Sequence, residues 1–169
     1  MNIVVVGCDC TGKSTTIEKL SELTGFEVIK GSSFELTHGK TNEELFNIMV
    51  DLAEKDNVIF DRFAHCNNVY APLYDDYAQL SVEQIREIES HLPEDSIIIH
   101  LTASKEVILE RFETRGEEYV DEGRVTPILE GYEKVLDEVS VSMFSFDTGI
   151  ISTEDIINLI GFYHGIDKY

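Results

Sequence analysis

The sequence predicts an α/β fold in which helices cover both faces of a parallel β-sheet. Two observations carry the prediction. The segment Gly7-Cys8-Asp9-Cys10-Thr11-Gly12-Lys13-Ser14 fits G-x-x-x-x-G-K-[ST]. It lies between a β-branched run, Asn2–Val6, and a helical period, Thr15–Leu23, with Ile17, Leu20 and Leu23 on one face. The later apolar runs Val58–Phe60 and Ser96–Leu101 show no polar–apolar alternation and are separated by helical periods, which is the pattern of strands buried on both sides.

The glycine-rich segment is a phosphate-binding loop, because its glycines let backbone N–H groups turn inward around an anion at a helix start. Gly7, Cys8, Asp9, Cys10, Thr11, Gly12, Lys13, Ser14 and Thr15 are therefore the expected nucleotide-binding residues. Lys13 is expected to reach the β and γ phosphates, and Ser14 to sit on Mg²⁺.

Composition bounds the rest. A length of 169 residues, 43% hydrophobic and 27% charged, is expected to form one domain with a full core. The net charge of -20 argues against nucleic-acid and anionic-membrane partners, which reward a basic face. It also means that the few cations must gather wherever phosphates sit. No apolar run is long enough to span a bilayer, and the first strand opens at Asn2, so neither a membrane span nor a signal peptide is expected. Three cysteines without zinc-like spacing point to a reducing cytoplasm. A metal site built from Cys8, Cys10, Cys66 and His65 is the alternative use of the thiols, but thiolates in the loop would compete with its phosphate.

Along the chain, Gly25 closes the first helix and Phe26–Ile29 reads as the second strand. Gly31–Gly39 reads as a polar loop. Thr41 with Glu44 forms a capping box before a helix carrying Leu45, Ile48, Met49 and Leu52. Val58–Phe60 is the third strand, and Asp61-Arg62-Phe63 opens a loop that Val69-Tyr70-Ala71-Pro72 continues. Ser81 with Gln84 caps a helix bearing Ile85, Ile88 and Leu92, and Ser96–Leu101 is the fourth strand. A helix with Val107, Ile108 and Phe112 ends at Arg111-x-x-x-Arg115-Gly116. Thr126 and Pro127 open the next helix, with Leu129, Tyr132, Leu136 and Val139 inward. Met143–Phe146 is the fifth strand, and Ser152 with Asp155 caps a last helix, Ile156–Tyr163.

Three places carry a resemblance to a known family: Asp9 inside the loop, Asp61-Arg62-Phe63 after the third strand, and Arg111-x-x-x-Arg115-Gly116. The chain resembles P-loop kinases of the thymidylate kinase and deoxynucleoside kinase group, and is similar to the compact members carried by bacteriophages. The resemblance implies a three-layer P-loop kinase fold, a five-stranded parallel sheet of order 2-3-1-4-5, and a lid at about 111–124. It implies Mg-ATP-dependent phosphoryl transfer to a deoxynucleoside monophosphate, with ATP and Mg²⁺ as cofactors. Asp9 would meet the sugar 3′-hydroxyl and Arg62 would grip the acceptor phosphate in a bidentate fork. Asp61 would hold a Mg²⁺ water or hold Arg62 in place. Lys13, Asp61, Arg62, Arg111 and Arg115 are thus the catalytic set, and Ser14 and Asp61 the metal ligands. Arg111 and Arg115 lie one helical turn apart. One would bracket the donor nucleotide, and the other would neutralise the transferring phosphoryl group. Arg124 reads as a surface residue.

This chain departs from the family in two ways. Cys10 stands where some thymidylate kinases place an arginine, which shifts catalytic charge to the lid. The arginine-rich segment after the second strand is replaced by Lys30, Ser32, Ser33 and Glu35. Phe34, Phe63, Tyr70 and Tyr74 are the expected base-stacking residues, and Glu35 lies on the acceptor side. An alternative reaction is nucleoside phosphorylation, which needs a carboxylate base, and Glu35 or Asp61 is the candidate. A nucleotide-binding protein without turnover is a further reading. Family members are often dimers, so a homodimer is possible on resemblance.

Overall fold

The computed structural model describes residues 1–32, 34–115 and 122–165, without the side chains of residues 34, 35, 163 and 164. Five strands, β1 (Ile3–Val6), β2 (Glu27–Lys30), β3 (Val58–Asp61), β4 (Ile97–Thr102) and β5 (Ser142–Asp147), form a parallel sheet of order β2-β3-β1-β4-β5, as expected. The helices are α1 (Lys13–Thr24), α2 (Phe34–Thr37), α3 (Asn42–Ala53), α4 (Ala64–Tyr70), α5 (Val82–Ser90), α6 (Lys105–Arg115), α7 (Glu122–Leu136) and α8 (Thr153–His164).

Alternate side chains of the central strands feed two cores. Val4, Phe60 and Ile98 pack with Leu45 of α3, Ile88 of α5 and Tyr132 of α7. Ile3, Ile59 and Ile99 pack on the opposite face with Ile17 and Leu20 of α1 and Ile156 of α8. Each such apolar side chain removed from water contributes roughly 1.5–3 kcal/mol, which is why β1, β3 and β4 tolerate no polar alternation. The outer strands β2 and β5 are largely exposed, so only the three inner strands show the two-sided burial read from the sequence.

Both capping boxes are present. Thr41 Oγ1 accepts from the Glu44 N–H, Ser81 Oγ accepts from the Gln84 N–H, and Glu44 and Gln84 each return a bond to the cap backbone. Gly25 is left-handed at φ 71 and its N–H donates to the Ser21 carbonyl at 2.8 Å, closing α1. Ser152 caps α8 through the Asp155 N–H.

The structure corrects three expectations. The loop after Phe63 is helical: α4 is followed by a 3₁₀ turn, Ala71–Leu73. This helix is buried nearly all round and so shows no amphipathic period, and two of its polar members bond across to other segments. His65 Nε2 lies 2.8 Å from Glu89 Oε1, and Asn67 binds the Ala78 carbonyl and the Leu80 N–H, each at 2.8 Å. The polar loop after β2 contains the short helix α2. Helix α7 begins at Glu122, ahead of Thr126 and Pro127, which puts Pro127 inside it. Packing outweighs the lost backbone bond there, because Val125, Ile128, Tyr132 and Leu136 form a continuous buried stripe.

Candidate active site

The loop between β1 and α1 is built by backbone geometry that few residues tolerate. Gly7 sits at φ 147, and a Cβ there would lie 2.1 Å from the Leu101 carbonyl oxygen, so β4 and the loop meet only because position 7 is glycine. Gly12 caps α1 at φ 85. Cys10 is left-handed at φ 61 without being glycine, a strain of order 1–3 kcal/mol. Thr11 Oγ1 donates to the Cys8 carbonyl at 2.7 Å and Lys13 Nζ donates to the same carbonyl at 2.6 Å, closing the loop on itself.

Lys13 is buried, and its Nζ lies 3.9 Å from Asp9 Oδ1. Burial, and then the neighbouring Arg62, lower its pKa to about 8, against the opposing pull of Asp9. An anion in the cleft would reverse that pressure. The Cys8 thiol is pushed up to about 11, mainly by burial and secondarily by Asp9, so it is a neutral filler of the loop.

Arg62 follows β3 with a left-handed backbone at φ 65. Its guanidinium donates to Asp9 Oδ1 on one side and lies 4.6 Å from the centre of the Tyr70 ring on the other. Asp9, not Asp61, therefore holds Arg62, which corrects one of the two roles expected of Asp61. Tyr70 applies its ring to Arg62 in place of the expected base, and burial raises its hydroxyl pKa. That hydroxyl is buried without a hydrogen-bond partner among the described residues. Phe63 is corrected as a base-stacking residue: it is fully buried and stacks on Phe60 at 4.5 Å between ring centres. Tyr74 has its ring between Arg124, 4.9 Å away, and Tyr77, 4.8 Å away, so Arg124 is a cation–π partner. The side chains of Phe34 and Glu35 lie outside the described residues, as do 116–121 of the expected lid.

A polar cleft of about 200 Å³ joins these parts. Lys13, Arg62 and Arg115 bring positive charge to it, Asp9 and Asp61 bring carboxylates, and Ser14 and Thr15 bring hydroxyls. Ser14 and Asp61 thus share one cleft and offer the hard oxygen donors that Mg²⁺ takes alongside phosphates and water. A second hollow of about 380 Å³ adjoins it and shares Arg115, with Val107, Arg111 and Gly149 around it. A larger hollow of about 470 Å³ lies between α7 and the β4–β5 edge, but its walls hold Glu133 and Asp137 and neither lysine nor arginine. Positive side chains converge on the first.

Arg111 and Arg115 both come to the loop at Cys10. Arg111 Nη1 donates to the Cys10 carbonyl at 3.0 Å, and Arg115 Nη1 lies 3.8 Å from Cys10 Sγ. Two contributors have roles that the sequence alone does not show. Gly31 allows the chain after β2 to pass beside Arg62, where a Cβ would stand 2.3 Å from the Arg62 carbonyl oxygen. A glycine directly after a strand was the available signal. Thr148 binds Arg111 through its hydroxyl and its carbonyl, a pairing its local sequence does not show.

Comparison with known proteins places this arrangement. No family model matches the chain. The SPbeta prophage-derived uncharacterized protein YorR of Bacillus subtilis (strain 168) is 40% identical over 154 residues, covering 91% of this chain and 93% of YorR. The crystal structure of the Bacillus subtilis YorR protein in complex with phosphorylated GDP matches at a TM-score of 0.88 and 38% identity, with 98% of each chain covered. More distant structures share the fold. Deoxyadenosine kinase from M. mycoides, with products dCMP and a flexible dCDP, has a TM-score of 0.62 at 19% identity, with 98% and 99% of the two chains covered. Shikimate kinase from Acinetobacter baumannii has 0.59 at 17%, with 99% and 95% covered. The chain has the P-loop kinase fold and belongs to the YorR family.

Proposed function

We propose that this protein transfers the terminal phosphoryl group of Mg-ATP to a deoxynucleoside monophosphate, giving ADP and the diphosphate. The observation that carries the reading is the convergence of Lys13, Arg62 and Arg115 on one cleft of a chain whose net charge is -20. Phosphoryl transfer asks a protein for position and positive charge. An acceptor monophosphate, with a second pKa near ~6, is largely dianionic at neutral pH and needs no base.

In this reading the Gly7–Ser14 backbone and Lys13 hold the donor phosphates. Arg62, braced between Asp9 and Tyr70, presents its remaining N–H donors to the acceptor phosphate. An acceptor oxygen attacks the γ phosphorus as the bond to the β-phosphate oxygen breaks, and ADP leaves with that oxygen. Arg115 neutralises the charge on the group in transit. Asp9 is half-exposed, so an oxygen remains available for a sugar hydroxyl. Ser14 and Asp61 would hold Mg²⁺, which supplies neutralisation of phosphate charge when bound. The hollow beside Arg115 suits the donor base. The YorR complex with phosphorylated GDP supports nucleotide binding in the family and brings guanine nucleotides into the test. Three buried free cysteines agree with a cytoplasmic setting, and no helix among the described residues is long and apolar enough to cross a membrane.

One observation favours a second reading, phosphorylation of a nucleoside hydroxyl: Asp61 lines the cleft and makes no ion pair among the described residues, as a carboxylate base would. Incubation with ATP and Mg²⁺ against a panel of nucleosides and monophosphates, guanine compounds included, separates the two. ADP release with monophosphates alone supports the first reading. Release with nucleosides alone supports the second, and release with neither leaves a nucleotide-binding protein without turnover.

A further inference from the structure

Arg111 is bonded as a strut. Its Nη1 donates to the Cys10 carbonyl at 3.0 Å and to Thr148 Oγ1 at 2.9 Å, and its Nη2 donates to the Thr148 carbonyl at 2.7 Å. Thr148 is itself fixed just beyond β5. Its N–H donates to the Thr102 carbonyl at 2.8 Å, and its hydroxyl donates to the same carbonyl at 3.2 Å. A continuous set of bonds thus runs from the end of β4, through the turn before α8 and the arginine of α6, to the phosphate-binding loop. It ends on Cys10, the loop residue held left-handed at φ 61 without being glycine. Such a backbone persists where its surroundings over-determine it, and the Arg111 bond falls on the carbonyl that this conformation orients.

We propose that Thr148 is a positioning residue for the phosphate-binding loop: it clamps Arg111, and Arg111 sets the Cys10 turn. The two arginines of α6 then divide their work. Arg111 shapes the loop, and Arg115, which is exposed and lines the cleft, is the cation that meets phosphate. This rests on the reading that Gly7–Ser14 binds a nucleoside triphosphate and is independent of the acceptor. The Thr148 hydroxyl has one proton to give, to Thr102, and lone pairs to accept from Arg111. Valine keeps the shape and removes both bonds, and serine keeps both. Hydrogen bonds to charged groups are the strong class, so their loss should weaken triphosphate binding roughly tenfold or more.

The test measures the Kd of N-methylanthraniloyl-ATP with Mg²⁺ and no acceptor, alongside thermal unfolding. Thr148→Val is expected to weaken binding roughly tenfold at temperatures far below its unfolding midpoint, and Thr148→Ser to stay within about twofold of the wild type. Arg111→Lys, which keeps charge and loses the fork, should weaken binding as valine does, and combining the two should add little further. Unchanged affinity in Thr148→Val overturns the proposal, whether or not its unfolding midpoint falls. Equal impairment of the valine and serine variants overturns it as well. Acceptor turnover is read separately. Thr148-dependent binding in a protein that phosphorylates no acceptor upholds the strut and removes the acceptor reading, while turnover with Thr148-independent binding does the reverse.

Discussion

Asp9 and Arg62 are 53 positions apart, and the parallel register explains why they meet. Val5 pairs with Asp61, so the residues that follow β1 and β3 leave the sheet side by side. Both were legible as motif positions, but their pairing was not, because a sequence carries no strand register. Arg62→Ala should raise the acceptor KM at least ~10-fold and lower kcat, since it removes a charged fork, while ATP binding stays nearly intact. Steady-state kinetics with each substrate varied in turn checks this, and unchanged acceptor constants would remove Arg62 from the acceptor site. Lys13 carries a pH prediction. Its pKa falls to about 8 in the folded chain from the ordinary 10.5, through burial first and Arg62 second. Between those values the unfolded chain holds a proton that the folded one has lost, so this group's contribution to stability rises with pH across the window. Triphosphate binding has the opposite sign, because it needs the charged amine. It should weaken above about pH 8 with uptake of close to one proton, measurable by calorimetry of Mg-ATP binding in buffers of different ionisation heat. Binding near pH 9 without proton uptake would contradict the placement of Lys13 on phosphate.

At the scale of elements, local chemistry was legible wherever it is self-contained. The boxes Thr41–Glu44 and Ser81–Gln84 announced α3 and α5, and the structure joins their ends: Asn42 and Gln84 exchange amide hydrogen bonds of 2.9 and 2.7 Å. Ser81→Ala should therefore cost about 1–2 kcal/mol, in the upper part of the usual capping range, because Gln84 serves both the cap and Asn42. Denaturant unfolding checks this, and a loss under ~0.3 kcal/mol would show that the box contributes little here. Helix α4 was illegible because burial on nearly every side erases its period, and with it went the role of Tyr70, whose ring reaches Arg62 only once that turn is helical. The start of α7 was misplaced because proline is a strong local signal, whereas the stripe Val125, Ile128, Tyr132 and Leu136 becomes decisive only when there is a core to meet. Thr148 shows the same limit. Its partners lie on β4 and α6, remote in sequence, so its own neighbourhood does not show the pairing.

For the whole molecule, the sheet order brings the segments that follow β1 and β3 together at the carboxyl ends of the strands, where parallel α/β sheets bind their ligands, and α6 adds Arg115 from its end. The charge distribution then selects among the hollows, and the acidic balance of the chain makes the selection sharper. Of 13 lysines and arginines in 169 residues, three line one polar cleft, while the larger hollow beside β5 has none. The fold and the cations of the cleft were accordingly readable from spacing and composition. The surroundings of Arg62 were not, because Asp9, Gly31 and Tyr70 come from separate segments and meet only in three dimensions. The most direct test of phosphoryl transfer to a monophosphate follows the label from γ-labelled ATP after incubation with Mg²⁺ and deoxynucleoside monophosphates, guanine and thymine among them. The expected result is label in the β position of a deoxynucleoside diphosphate, lost in Lys13→Ala. With the matching nucleosides incubated in parallel, label found only in a monophosphate formed from a nucleoside, with none in any diphosphate, would contradict it.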